Sequence, residues 1–213
     1  MHKKAGILCV ISGAFLILAA LGLVLYNHLE ASHAAKASDS ALSKLLSIIP
    51  ETESGLIQDM DKWPSVKTPS AGISTPNIST SEMPVAEIDG YSYIGYLSIP
   101  ALGLELPVMA DWDYTRMKLA PCLYFGSIET NNLVIAGHNF DRHFGRLPNL
   151  KTGDIVCFTS VEGIVYTYRV VEIETLPPTA VKEMIDSGWA LSLYTCTYSG
   201  SERVTVRCER AEK

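Results

Sequence analysis

Three features of the chain predict an all-β domain, a closed barrel or sandwich of short strands, preceded by an N-terminal transmembrane helix. From Gly90 onward, at least six short stretches are β-type in composition, several alternating apolar and polar residues with a period of two. Gly, Pro, Asn and Ser clusters separate these stretches, and only scraps of helical spacing lie between them, which points to a barrel or sandwich. Residues 5–26 carry no charged side chain. As a helix these 22 residues span about 33 Å, enough for a hydrocarbon core of about 30 Å.

In chain order, His2, Lys3 and Lys4 precede the apolar run and Glu30 follows it, so the positive-inside tendency places the N-terminus in the cytoplasm and the rest outside. A cleaved signal peptide is the rival reading, with small residues at 31–37 as its processing site. Residues 1–27 are therefore the cytoplasmic start and membrane helix. Residues 28–49 carry Leu42, Leu45, Leu46 and Ile49 at helical spacing and read as a helical stalk leaving the membrane or, alternatively, as a surface amphipathic segment. From Pro50 to about Asp89 the composition turns to Ser, Thr and Pro, a linker that completes a 28–89 segment and leaves Trp63 free to pack on the domain.

The catalytic domain is assigned to residues 90–213. Residues 91–99 are aromatic and β-branched, a Pro100-Ala101-Leu102-Gly103 turn follows, and residues 104–109 make a second short strand. Residues 110–118 read as a turn entering one helical turn. Strands are expected at 132–137, 154–159 and 163–175, the last long enough to bend. Pro177-Pro178 breaks the chain before a short helix at 180–187. The stretch Leu191-Ser192-Leu193-Tyr194-Thr195-Cys196-Thr197 and the run Arg203-Val204-Thr205-Val206-Arg207 are the final two strands, joined by the turn-rich Tyr198-Ser199-Gly200-Ser201-Glu202.

The net charge of −6 and pI near 5.4 leave no basic stripe for a nucleic-acid partner. Five cysteines, at 9, 122, 157, 196 and 208, form no close pair, which fits neither a disulfide framework nor a zinc ribbon. Cys157 and Cys208 fall in strand-like stretches as small hydrophobes, and Cys122 sits in an apparent turn. Asp111, Asp113, Glu172 and Glu174 form no dense oxygen-ligand loop, so no metal and no cofactor are assigned.

Cys196 alone combines a strand end, an arginine one loop away and a histidine upstream. Its thiolate is a strong nucleophile, and the Arg203 guanidinium is placed to stabilise the oxyanion formed on attack at a carbonyl. Leu133-Val134-Ile135-Ala136 delivers Gly137-His138-Asn139 to a strand end, which makes His138 the proton carrier. His143 reads as a solvated loop histidine, and Arg207, on the same strand face as Arg203, as a salt-bridged residue.

These residues resemble the sortase family, the membrane-anchored cysteine transpeptidases of Gram-positive bacteria. The resemblance rests on Leu193-Tyr194-Thr195-Cys196, on an Arg opening the next apolar strand and on a Gly-His at an earlier strand end. It covers about residues 93–210, with Tyr96-Leu97-Ser98-Ile99-Pro100 and Leu106-Pro107-Val108 at its start. Ser192 stands where the family usually has Thr.

The resemblance implies a closed eight-stranded barrel and catalytic His138, Cys196 and Arg203, with Thr195 shaping the substrate channel. It further implies an LPxTG-like sorting signal on secreted proteins as substrate, and an amine of cell-wall precursor or pilin as acceptor. The short stretch between His138 and Cys196 leaves no room for the long helix inserted by class B members. Two competing readings remain: a membrane-anchored cysteine peptidase that passes the acyl group to water, and a non-catalytic surface β-domain in which His138, Cys196 and Arg203 need not converge.

Overall fold

The computed structural model describes residues 2–50 and 83–211. The expected linker falls mostly on residues 51–82, with Trp63 among them, and so lies outside the described residues.

The apolar run and the stalk form one helix, α1 (His2–Ile48), 47 residues or about 70 Å long. No proline or run of β-branched residues interrupts residues 27–48, so nothing in the sequence ends the helix where the membrane does. The large side chains from Ile11 to Leu29 are exposed, whereas Ala34, Ala35, Ser38, Ala41, Leu42 and Leu45 are buried. The stalk therefore lies along the domain rather than holding it at a distance. Three ion pairs fix its register: Glu30 with Lys118, Asp39 with Arg142 and Lys44 with Asp89.

Among the described residues nine strands follow: β1 (Ala86–Ile88), β2 (Tyr91–Ile99), β3 (Leu104–Met109), β4 (Cys122–Phe125), β5 (Leu133–Ala136), β6 (Ile155–Ser160), β7 (Val165–Leu176), β8 (Leu191–Cys196) and β9 (Arg203–Arg210). Their order is β1-β2-β3-β4-β5-β8-β9-β7-β6, and a β2–β6 pairing joins the ends. Strands β2 to β9 thus close an eight-stranded barrel, as the alternating pattern and the resemblance implied. Gly95, between β3 and β6 at φ 149°, permits this closure, because a Cβ there would collide with the Thr159 carbonyl.

Two short helices complete the domain, α2 (Tyr114–Met117) and α3 (Val181–Ile185). Asp113 caps α2 by accepting from the Thr115 and Arg116 amides, at 2.6 and 2.9 Å. The barrel interior is filled by Leu97, Val108, Leu133, Ile135, Phe158, Leu193 and Val206. A second apolar cluster joins the stalk to the domain, with Ala41 and Leu45 of α1 packed among Ile88, Tyr93, Met109, Met117 and Cys122.

Two sequence expectations change here. Strand β1 pairs with β2 through Ala86↔Tyr93 and Ile88↔Tyr91, so the sheet starts ahead of Gly90. Cys122 opens strand β4 and is buried, where a turn was expected.

Candidate active site

The site is built on the outer wall of the barrel where β8 runs between β5 and β9. Along β8, Leu191, Leu193 and Thr195 face the interior, and Ser192, Tyr194 and Cys196 take the opposite face, as the two-residue period requires. Antiparallel pairing with β9 places Cys196 directly opposite Arg203. Side chains so paired have Cβ atoms about 5 Å apart.

On its other side β8 is parallel to β5, with Ala136 level with Tyr194. The Gly137 amide donates to the Tyr194 carbonyl (3.0 Å), and the Asn139 amide nitrogen donates to the Thr197 carbonyl (3.3 Å). His138 lies between these two anchors, which grip the residues on either side of the Cys196 segment. Gly137 is required here because the Phe144 ring occupies the space a Cβ would fill. The Phe144 amide donates back to the His138 carbonyl (3.1 Å), and Phe140 stacks on the imidazole with centroids 4.0 Å apart and planes at 18°. The histidine is thus held by backbone on both sides and by a ring on its face.

Electrostatics set its resting form. Burial lowers the His138 pKa below its ordinary 6.5, the Lys118 ammonium adds to that, and Glu30 of α1 and a hydrogen bond with Asn139 oppose it. Its Nδ1 is buried without a hydrogen-bond partner among the described residues. At neutral pH the ring is therefore mainly the uncharged base.

Arg203 donates through Nη1 to the carbonyls of Gly200 (3.2 Å) and Glu202 (3.0 Å). Its Nε and Nη2 have no partner among the described residues, and the side chain lines a groove of about 200 Å³ together with Cys196 and Gly137. One groove wall is aromatic: Tyr194 meets Tyr124 edge-on at 5.3 Å, Tyr124 meets Trp112 at 5.7 Å, and Trp112 meets Tyr114 at 5.4 Å. The other wall is Pro177, Pro178, Ala180, Val181 and Met184. An open slot of this shape suits an extended apolar peptide segment, and the guanidinium nitrogens left unpaired beside it suit a developing oxyanion.

Cys122, Cys157 and Cys208 lie away from the groove. Burial pushes the Cys122 and Cys208 thiols up to about 12 and also raises Cys157.

Two further residues lie where the sequence did not indicate, and a third where it did. Thr195 is buried on the interior side of β8 with a hydroxyl unpartnered among the described residues and does not line the groove, whereas Tyr194 and Cys196 do. His143 is fully buried rather than solvated. It packs beside His138 and under α1, where burial, then the charges of His138 and Arg142, lower its pKa to about 4, and both ring nitrogens are buried without a hydrogen-bond partner among the described residues. Arg207 is buried and salt-bridged to Glu174 (2.7 Å), as expected of it. Asp111 and Asp113 pair with Arg116, and Glu174 with Arg207, so three of the four carboxylates weighed as metal ligands already hold cations of the chain. The aromatic wall has only a faint trace in the sequence, the two rings of Trp112-Asp113-Tyr114, because Tyr124 and Tyr194 join it from distant strands.

A family model described as the sortase domain matches residues 97–211, more than half of the chain. Among solved structures the chain is similar to sortase C1 of Streptococcus agalactiae, with 26% identity and a TM-score of 0.52 over 60% of this chain and 72% of that one. It is similar to sortase C1 from Streptococcus suis at 27% identity and TM-score 0.50, over 57% of this chain and 74% of that one. Sortase A from Corynebacterium diphtheriae, at 23% identity and TM-score 0.50, shares the fold over 58% of this chain and 62% of its own. No curated protein matches. The matched span contains the whole β5–β8–β9 site with its Gly-His, Cys and Arg, and the chain belongs to the sortase family, whose members are cysteine transpeptidases.

Proposed function

We propose that this chain is a single-pass membrane enzyme with its N-terminus in the cytoplasm and its barrel outside. It cleaves a sorting-signal peptide on secreted proteins and transfers the acyl group to an amine of cell-wall precursor or pilin. The supporting observation is the strand register that sets Cys196 opposite Arg203 while the parallel neighbour holds His138 between anchors to Tyr194 and Thr197.

In this reading the Cys196 sulfur bonds to the carbonyl carbon as its proton passes to neutral His138. The free donors of Arg203 hold the oxyanion. The C–N bond then breaks as His138 returns the proton to the leaving amine, and a thioester remains on Cys196. The acceptor amine attacks the thioester carbon and gives its proton to His138. The C–S bond breaks, the thiol regains that proton, and a new amide leaves. The five-residue α3 between β7 and β8 leaves no long inserted helix there, so a class other than B is assigned.

The test is incubation of the detergent-solubilised full chain with a peptide library and an added amine, followed by acid quench and mass analysis. A thioester on Cys196, an amide product and loss of both in Cys196→Ala are expected. Activity of Cys196→Ala at the wild-type level, or a thioester on Cys122, sinks the assignment. Exclusive hydrolysis with amine in excess would make the chain a peptidase, and no acyl product at all would make it a binding domain.

A further inference from the structure

The stalk packing fixes where the groove lies relative to the membrane. The uncharged run of α1 ends at Tyr26, and Glu30 is four residues, or about 6 Å, beyond it. The headgroup layer on each side of a bilayer is about 5–7 Å thick. Glu30 therefore stands at headgroup height, and its carboxylate is bonded to Lys118 of the barrel at 2.6 Å. Tyr26 also acts on the Lys118 charge, which sets the ammonium close to the last turn of the apolar run. The two other ion pairs of the stalk, at Asp39 and Lys44, lie farther up the helix. Lys118 is thus the part of the barrel nearest the bilayer among these three contacts.

Lys118 directly follows α2, and the α2 segment is stiff. Asp113 caps it, and Arg116 is clamped by Asp111 and Asp113. On this segment Trp112 is 39% exposed and Tyr114 65% exposed, in contact with each other at the groove mouth. Tyr114 stands one helical turn, about 6 Å, before Lys118, so these exposed rings lie within about a turn of the Glu30 contact, and exposed Trp and Tyr side chains near the surface match the aromatic belt that membrane proteins place at the lipid–water interface.

We infer that the Trp112–Tyr114 edge of the barrel rests in the phospholipid headgroup layer of the bilayer that α1 enters, so that the groove opens at the membrane surface. The contact is made by rings rather than by charge, because Arg116 and Lys118 are already paired with carboxylates of the chain. The inference rests on α1 crossing the membrane, which belongs to the function proposed above.

The chain contains three tryptophans, at 63, 112 and 189. Trp189 precedes β8, at the strand end opposite Cys196 and about 20 Å away along the strand, and so serves as an internal reference. The full chain carrying Trp63→Phe and Trp189→Phe is reconstituted in phosphatidylcholine–phosphatidylglycerol vesicles, with a spin label at the headgroup or deep in the acyl chain. A second form carries Trp63→Phe and Trp112→Phe, leaving Trp189. Co-flotation with vesicles first confirms the anchor.

The expected result is loss of most Trp112 emission with the headgroup label, unchanged in high salt, with little loss for the deep label and little for Trp189. Insertion of seven residues after Tyr26 keeps the helix face and lifts the barrel by about 10 Å, so it should restore Trp112 emission. A chain that floats but whose Trp112 is quenched no more than Trp189, or no less after the insertion, overturns the inference while leaving the anchor intact. A chain that does not float removes the anchor and this inference together, and leaves the Cys196 chemistry to its own test.

Discussion

On the outer face of the β8–β9 ladder, Cys196 stands opposite Arg203 and, four residues earlier on β8, Ser192 stands opposite Arg207. The two pairs have the same pairing geometry and the same type of cation, yet their surroundings differ. Arg207 is 1% exposed and nearly saturated: it donates to Glu174 at 2.7 Å, to the Ser192 hydroxyl at 2.8 Å, and to the carbonyl of Glu183 in α3 at 2.8 Å. It pins α3, and with it the Val181–Met184 wall of the groove. Arg203 is bonded through one nitrogen to its own loop and lines the groove, with Nε and Nη2 lacking partners among the described residues. A guanidinium becomes architecture when the fold fills its five donors, and remains available for a reacting group when the fold leaves some of them empty.

The comparison is tested most strongly at Arg207. Arg207→Ala leaves Glu174, Ser192 and the α3 carbonyls unpaired, and is expected to cost about 3–5 kcal/mol of stability in urea unfolding. A loss below about 1 kcal/mol would show that the network is idle. Next comes Arg203→Ala, expected to lower kcat by about 10²- to 10³-fold, or about 3–4 kcal/mol, with a nearly unchanged unfolding midpoint. Arg203→Lys should recover only part of that rate, because an ammonium lacks the planar fork. If the two alanine variants exchanged these phenotypes, the roles assigned to the arginines would be reversed.

Acid should act through His143, which belongs to neither pair. Its pKa is about 4 in the folded chain and 6.5 when unfolded, so between those values the unfolded state holds a proton that the folded state lacks. Stability is therefore full above pH 6.5 and declines toward pH 4, by at most about 3 kcal/mol. Unfolding midpoints measured across that range should flatten in His143→Leu. The smallest effect belongs to Ser192. Ser192→Ala strands one Arg207 donor at about 1–2 kcal/mol, while Ser192→Thr keeps the hydroxyl and should nearly match wild type.

That last position shows how much the sequence discloses. Ser192 registers there only as a departure from a family pattern, and the structure shows what the position does, which is to present a hydroxyl to a buried arginine. Strands β2, β3, β5, β6, β7, β8 and β9 are legible because each alternates or runs β-type between turn-formers, and the strand-end positions of Cys196, His138 and Arg203 are legible for the same reason. What stayed hidden depends on contacts between distant segments. The stalk reads as a free amphipathic helix until Leu45 is seen packed in a cluster with Ile88 and Met109, and His143 reads as solvated until α1 covers it. A chain beginning at Gly90 therefore lacks β1, Ala41 and Leu45. It should unfold at lower urea than one beginning at residue 28, by several kcal/mol if Leu45 alone contributes the usual 2–5 kcal/mol of a buried leucine.

The parallel pairing of β5 with β8 also has a consequence for the order of events during folding. Leu133 meets Leu191 and Ala136 meets Tyr194, so the histidine and the cysteine come together across nearly sixty residues of intervening chain. Contacts of such high order form late, because loop closure must be offset before they contribute. The Cys196–Arg203 hairpin closes over a much shorter loop and can form first. On the function proposed above, an incompletely folded chain pairs the cysteine with the arginine before the histidine joins them, and the proton transfer assigned there to His138 awaits the docking of β5. Under that proposal, completion of the barrel is what arms Cys196.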